Sequence, residues 1–271
     1  MRNIKFLLFY FSGTGNTRWA SMQFCAAAKA LGHEAEAVSI DRLELSDNLI
    51  IKVRQAEYIG FAYPIYAADV PRNMREFIQN LTASLSGEKL RAQAFFICTF
   101  GYINGFAPFN AAALLQGSMK MKAHLNLRFF NNVSNPVMKV RMPDKEKLNR
   151  TLTCAQSKLV RLADKLASGK RVITGIGPYL IPGIIIRNTL GKARDKNYKS
   201  LSVDMSRCSL CMRCVRECPT GSFRYDDGAF NVLPTCAACM RCYNFCPKAA
   251  VISSGVYADP VVYQRYRGPG E

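Results

Sequence analysis

The sequence is poor in the side chains that most often carry acid–base chemistry. It contains two histidines in 271 residues, and neither pairs with a carboxylate in a recognisable motif. His33 follows a glycine that ends a helical pattern, and His124 begins a strand pattern. We therefore expect both histidines to be structural or solvated, because the sequence offers no acid–base dyad around which they could act.

Acidic residues are also few. The chain has 19 Asp and Glu against 37 Lys and Arg, which gives a formal net charge of +18. Such a surface favours acidic redox proteins, anionic lipid or nucleic acid as partners, unless it is only a solvated basic surface. No recognised nucleic-acid-binding module accompanies the basic residues, so no nucleic-acid partner is expected.

The sequence offers little for a membrane. Residues 172–186 are uncharged but number only 15 and contain five Gly or Pro residues, too short and too broken for a spanning helix. A peripheral membrane contact of this stretch is the less favoured interpretation. The apolar start of the chain lacks a small-residue cleavage site, so we interpret it as a strand and not as a signal peptide. We expect a cytoplasmic protein.

A short loop rich in glycine and hydroxyl groups lies near the start of the chain. The residues SGTGNT, 12–17, follow an apolar run typical of a buried strand and precede an Ala-rich helical pattern. A helix N-terminus favours a phosphate, because its free N–H groups and the positive end of the helix dipole attract an anion. The two glycines of the loop allow the backbone to approach that anion closely.

Two common phosphate loops do not fit these residues. A Walker loop needs Lys after its second glycine, whereas Gly15 is followed by Asn16. A dinucleotide-binding loop needs a third glycine, whereas this loop has Arg18 there. An ordinary strand–helix turn and a metal-free loop for one terminal phosphate remain.

The loop resembles the FMN phosphate loop of flavodoxins, which has the form S/T-x-T-G-x-T. The resemblance implies that the phosphate of FMN is held by a group of consecutive residues: Ser12, Gly13, Thr14, Gly15, Asn16 and Thr17.

The rest of the first half alternates strand and helix patterns. Five strand patterns cover residues 4–11, 34–40, 56–63, 92–100 and 124–130, and helical patterns cover residues 71–81, 106–119 and 145–166. This alternation predicts an α/β fold, a parallel sheet with helices on both faces. Five strands suit the flavodoxin order 2-1-3-4-5, with ligand loops at the carboxyl ends of the strands.

In flavodoxins the loops after strands three and four hold the flavin ring. The resemblance therefore implies contacts from Pro64, Ile65, Tyr66, Thr99, Phe100, Gly101 and Tyr102. Tyr66 and Tyr102 are candidates to stack on the ring, although loop aromatics are equally often packing residues. The loop after strand three has no glycine, so a peptide flip to positive φ would be strained there.

The second half contains a cysteine repeat. Two runs, CSLCMRCVRECP from Cys208 and CAACMRCYNFCP from Cys236, have the spacing C-x2-C-x2-C-x3-C-P and lie 28 residues apart. They hold eight of the eleven cysteines. Two zinc sites would leave the third and fourth cysteines of each run unexplained, and a disulfide framework suits small secreted domains. Cys25, Cys98 and Cys154 lie in apolar patterns and are expected to be buried, inert thiols.

The spacing is that of bacterial ferredoxins, in which the fourth cysteine of each run binds the other of two [4Fe–4S] clusters. The resemblance implies one cluster on Cys208, Cys211, Cys214 and Cys246, and a second on Cys236, Cys239, Cys242 and Cys218.

The whole chain resembles a flavodoxin-like domain fused to a small α+β two-cluster ferredoxin domain. We expect the FMN-binding domain at residues 1–169, a linker at 170–200, the ferredoxin domain at 201–254 and a tail at 255–271. The resemblance implies an electron-transfer flavoprotein with FMN and two [4Fe–4S] clusters, which works with an acidic redox protein. The alternative is an FMN-dependent reductase, an oxidoreductase that acts on a small organic acceptor.

Overall fold

The computed structural model describes residues 3–105, 107–174, 185–186, 189 and 197–269. Most of the expected linker, including 175–184, lies outside the described residues. The first domain alternates strands and helices from its start: β1 Lys5–Tyr10, α1 Asn16–Ala30, β2 Glu34–Ser39, α2 Asp47–Gln55, β3 Tyr58–Pro64, α3 Arg72–Ser84, β4 Gln93–Phe100, α4 Ala107–Ala113, β5 Lys120–Arg128, α5 Lys145–Ala167 and β6 Val172–Ile173.

The strands of this domain form one parallel sheet in the order β2-β1-β3-β4-β5-β6. Its first five strands have the flavodoxin order, which confirms the expected fold class. The short strand β6 was not expected. It pairs with β5 at Ala123 and His124 and extends the sheet by one strand.

Apolar residues cover both faces of the sheet and bury most of its central strands. One cluster contains Phe9, Phe61 and Phe96, and a cluster on the opposite face contains Phe6 and Phe95. Helices therefore shield each face, and the backbone is left free for functional loops only at the strand ends. Helix α2 was not among the expected helices. It begins at Asp47 and is capped by Ser46, whose side chain accepts a hydrogen bond from the amide of Leu49.

The second domain is built from short elements. They are a 3-10 helix Asn197–Ser200, β7 Leu201–Val203, α6 Arg213–Arg216, β8 Phe223–Asp226, β9 Ala229–Val232, α7 Arg241–Phe245 and β10 Val251–Ser253. Strand β10 pairs with β7, and β8 pairs with β9, both antiparallel. A small apolar core around Phe223 and Tyr243 also includes Ala258 and Tyr263 of the expected tail, so the tail packs as part of this domain.

The three cysteines outside the repeat are not all buried. Cys25 and Cys98 are buried as expected, but Cys154 is exposed on α5, because its position on the helix faces solvent and not the sheet. His124 lies fully buried within β5, which starts four residues earlier than expected, at Lys120.

None of the described helices is long and apolar enough to cross a membrane.

Candidate cofactor sites

The phosphate loop lies between β1 and α1, at the carboxyl end of the second strand in the sheet order. Gly15 precedes the first residue of α1 and has a φ of 102°, a conformation that favours glycine. A side chain there would also collide with the expected tail, since a Cβ atom would lie 2.6 Å from the Cα of Gly268. The glycine is therefore required both by its backbone conformation and by its neighbour.

The polar groups of this loop keep hydrogen-bond donors available. The side-chain amide of Asn132 donates to the Thr14 hydroxyl oxygen, and Tyr266 donates to Asn16 Oδ1 at 2.6 Å. The Thr14 hydroxyl proton and the Asn16 NH2 group can then be donated to another acceptor. Among the described residues, the main-chain amides of Gly13 and Thr14 donate no hydrogen bond to protein. This donor set fits a phosphate.

A cavity of about 640 Å3 opens beside the loop. This volume is typical of a pocket for a cofactor-sized molecule. Twelve of the thirteen residues expected to contact FMN line it: Ser12, Gly13, Thr14, Asn16, Thr17, Pro64, Ile65, Tyr66, Thr99, Phe100, Gly101 and Tyr102. The structure thus brings the phosphate loop and both ring loops together around one space.

The two aromatic candidates stand in different environments within this cavity. Tyr102 is 66% exposed. Tyr66 packs edge-on against Phe11 and lies beside Gly13 and Cys239. Burial raises the pKa of the Tyr66 phenol well above its ordinary value, and the neighbouring Cys239 thiol adds to this shift. Whether either ring stacks on a flavin stays a prediction.

The loop after β3 adopts positive φ without glycine. Tyr66 and Asp69 exchange two main-chain hydrogen bonds, of 3.1 and 3.0 Å, around a two-residue turn. The central residues Ala67 and Ala68 have φ values of 48° and 59°. The strain expected from the sequence is therefore present in the folded turn, at a cost of about 1–2 kcal/mol per residue.

The cysteine runs share an unusual backbone. Leu210 and Met212 in the first run have φ values of 52° and 56°, and Ala238 and Met240, 28 positions later, have 51° and 59°. Left-handed conformations of non-glycine residues cluster where a ligand compensates their strain. The same alternation occurs in both loops, so the two cysteine runs share one backbone conformation.

Main-chain amides approach four of the cysteine sulfurs. The first cysteine of each run accepts one such bond. The Leu210 amide donates to the sulfur of Cys208 at 3.4 Å, and the Ala238 amide donates to the sulfur of Cys236 at 3.3 Å. The fourth cysteines receive a bond as well, Cys218 from Phe223 and Cys246 from Ala250. Hydrogen bonds of this kind stabilise thiolates and tune the potential of an iron–sulfur cluster.

The eight cysteines fall into two sets. Cys208, Cys211, Cys214 and Cys246 line a single cavity, which we call the outer set. The inner set is the other four cysteines, Cys218, Cys236, Cys239 and Cys242. Burial raises the pKa of Cys242 most; the other three inner thiols add to this shift, and so does Cys214 of the outer set. Each set contains three cysteines of one run and the fourth cysteine of the other run. That each set binds one cluster stays a prediction. A site for a single metal ion is a different arrangement. Among the described residues, no group of three or more His, Cys, Asp or Glu side chains is placed to hold one metal ion.

Burial raises the pKa of three inner thiols, those of Cys236, Cys239 and Cys242. It raises the pKa of Cys239 to about 12, although Arg241 beside it acts in the opposite direction. In the outer set, burial and the neighbouring Cys246 raise the pKa of Cys214 to about 11. A coordinated thiol is deprotonated, so iron must displace these protons when a cluster assembles.

The inner set adjoins the FMN-sized cavity. Ala238, Cys239 and Met240 line that cavity together with the phosphate loop, and Cys239 is buried. Cys211 of the outer set is exposed. The inner set therefore lies next to the cavity, and the outer set reaches the solvent.

Three residues of this site were missed by the sequence reasoning. Asn132 and Tyr266 hold side chains of the phosphate loop, and Arg241 donates to the main-chain oxygens of Ser12 and Gly13. Asn132 lies in an irregular segment and Tyr266 in the tail, where no periodicity or motif marks a contact. Arg241 was visible as the residue before the third cysteine of its run, but its partners lie more than 220 residues away.

Comparisons with known proteins support the division into two parts. Residues 200–247 match the family described as 4Fe-4S dicluster domain. A comparison with curated proteins found no matching relative.

The first domain is similar to several solved structures. A flavodoxin from the domain Archaea is 12% identical, with 60% of this chain and 99% of that chain covered and a TM-score of 0.43. Megasphaera elsdenii flavodoxin is 19% identical, with 56% and 98% covered and a TM-score of 0.37. A putative quinone reductase from Klebsiella pneumoniae is 14% identical, with 60% and 85% covered and a TM-score of 0.43. The fold assignment rests on the strand order described above.

Proposed function

We propose that the chain is an electron-transfer iron–sulfur flavoprotein, which passes electrons between two [4Fe–4S] clusters and one FMN, and on to or from a redox partner. The observation that carries the proposal is the shared cavity, since Cys239 of the inner set and Thr14 of the phosphate loop line the same space. Bound FMN would supply a centre that holds one or two electrons, whereas clusters pass single electrons.

The positions of the two cysteine sets define the two ends of the proposed electron-transfer path. The inner set lies against the cavity, and the outer set reaches the surface at Cys211. Electrons would therefore be exchanged with a protein partner at the outer set and with FMN at the inner set. The path can run in either chemical direction.

The surface around Cys211 is suited to a protein partner. Leu210, the residue before Cys211, is 47% exposed, so an apolar side chain lies at the end of the path. Within the described residues, Arg216 and Lys248 near this loop form no ion pair, and the whole chain carries +18. We propose an acidic one-electron carrier as the partner, since a basic protein steers such a carrier to its surface.

Rapid mixing with a chemically reduced acidic ferredoxin under anaerobic conditions tests this function. Flavin reduction should follow cluster reduction, and its rate should fall as salt rises from 0.02 to 0.5 M, because exposed charges more than about 10 Å apart are screened at 0.1 M. Arg216→Glu should slow the reaction, whereas Arg150→Glu on α5, the same change of charge far along the chain, should not. A rate that is insensitive to salt and to both changes would contradict a docking role for this surface.

A second cavity favours one alternative, a reductase of a small acceptor. It has a volume of about 1020 Å3 and shares Phe129 and Phe130 with the first cavity. Three basic residues line it, Arg141, Lys147 and Arg265, against one acid, Asp144. A small anionic acceptor beside the flavin is therefore the second candidate. Turnover of such an acceptor by the reduced protein, with no requirement for a carrier protein, would favour it.

A further inference from the structure

The cysteine repeat carries an arginine at the same position of each run, but the two arginines have different surroundings. Arg213 and Arg241 each precede the third cysteine and are 28 residues apart. Arg213 lies at the surface, where its side chain is 34% exposed and pairs with Glu217 at 2.8 Å. The side chain of Arg241 is 15% exposed and forms an ion pair with Asp41 of the first domain at 2.8 Å.

Arg241 also binds the back of the phosphate loop. Its Nη2 donates to the main-chain oxygen of Ser12 at 2.5 Å, and its Nε donates to that of Gly13 at 3.3 Å. Its Nη1 donates to the main-chain oxygen of Glu217 at 2.9 Å. One guanidinium therefore joins the phosphate loop to both cysteine runs.

These hydrogen bonds fix the direction of the loop amides. In a trans peptide the C=O and N–H groups point in opposite directions. Because the Ser12 and Gly13 carbonyls turn toward Arg241, the amides of Gly13 and Thr14 turn away from it. Neither of these two amides donates a hydrogen bond to protein within the described part of the chain.

We propose that Arg241 is a positioning residue for the phosphate group of FMN. It holds the loop with two amides directed away from the guanidinium, toward the side on which the phosphate would bind. This inference rests on the proposed FMN site, and it makes that site dependent on a residue of the ferredoxin domain. Arg213, with no contact to the loop, has no such role.

Comparison of FMN with riboflavin, which lacks the phosphate, tests this role. Dissociation constants of both are measured by titration of the purified, cluster-containing protein from which flavin has been removed. Arg241→Gln should weaken FMN binding at least tenfold and change riboflavin binding less than twofold. Arg213→Gln, the matched control, should leave both constants as in the wild type.

Arg241→Lys provides a second variant that keeps the buried charge but not the planar fork. It should also lower the preference for FMN over riboflavin. A preference equal to that of the wild type in both variants would overturn the proposal, and so would an equal loss of FMN and riboflavin, because that result marks a general structural role. If the wild-type protein itself shows no preference for FMN, the phosphate site of the proposed function fails, and Arg241 has no phosphate to position.

Discussion

The main-chain oxygen of Cys239 lies 2.8 Å from the position that a Cβ atom on Gly13 would occupy. This close approach puts a cluster-binding loop directly against the phosphate loop. Gly13→Ala should force the two backbones apart, because the methyl group cannot fit and a carbonyl cannot rotate away as a flexible side chain would. We expect FMN affinity to fall at least tenfold and the inner cluster to be lost more readily.

Gly101→Ala is the control for Gly13→Ala. It adds a methyl group to the same cavity, but the three atoms nearest to that methyl group all belong to Asn131, the closest being the amide nitrogen at 3.1 Å. Its effect on cluster retention should be small. Flavin titration and iron analysis measure both quantities, and equal cluster loss in the two variants would contradict a specific contact between the loops.

The two cysteine sets predict which substitutions are equivalent. Cys211→Ala and Cys246→Ala should remove the same outer cluster and leave the same electron paramagnetic resonance spectrum of the reduced protein. Cys218→Ala and Cys239→Ala should share a different spectrum, that of the outer cluster alone. If Cys218→Ala instead matched Cys211→Ala, each run would bind its own cluster and the crossed arrangement would be wrong.

The strained turn after β3 predicts a stabilising substitution. Ala67 has a φ of 48°, where glycine avoids about 1–2 kcal/mol of strain but costs about 0.5–1 kcal/mol in conformational entropy. Ala67→Gly should therefore raise the free energy of unfolding by roughly 0.5–1 kcal/mol. Ala112→Gly in helix α4 should lower it by about 1 kcal/mol. Denaturant unfolding measures both, and a loss of stability in Ala67→Gly would contradict the assigned turn.

His124 predicts a pH dependence of stability. Burial, with a smaller contribution from Arg171, lowers the pKa of His124 from 6.5 to about 4. Between these two values the unfolded chain binds a proton and the folded chain does not, so stability falls as pH falls through this window. The part lost between pH 7 and pH 5 is roughly 2 kcal/mol, at 1.36 kcal/mol per pH unit below 6.5.

His124→Gln removes this titration. Its stability at pH 5 should lie closer to its stability at pH 7 than in the wild-type protein, as measured by urea unfolding followed by circular dichroism. An equally steep decline in the variant would assign the acid sensitivity to other groups.

The strand order was predictable because buried parallel strands leave continuous apolar runs between helical patterns. The Gly-rich loop and the cysteine runs were predictable because their chemistry is encoded in local spacing. The short strand β6 has two residues, too few for any periodicity, so no pattern in the sequence could indicate it. Strand β5 was predicted to start four residues too late, because its first three residues are only half-buried or exposed and do not form an apolar run.

The contacts between domains could not be predicted in the same way. Arg241 and Tyr266 reach the phosphate loop from positions more than 220 residues away, and nothing in their local sequence distinguishes them from surface residues. Arg213 occupies the same place in its own run and remains at the surface, so the motif alone does not assign a role. Only the packing of one domain on the other distinguishes the role of Arg241 from that of Arg213.

The cofactor content of the protein purified without oxygen tests the central claim most directly. The account predicts about eight irons, eight sulfides and one FMN per chain, from two [4Fe–4S] clusters and one flavin site. Iron, sulfide and flavin are measured on the same preparation, with zinc determined in parallel. Zinc in place of iron, two irons per chain, or a preparation that holds iron but binds no FMN when it is added would contradict the account.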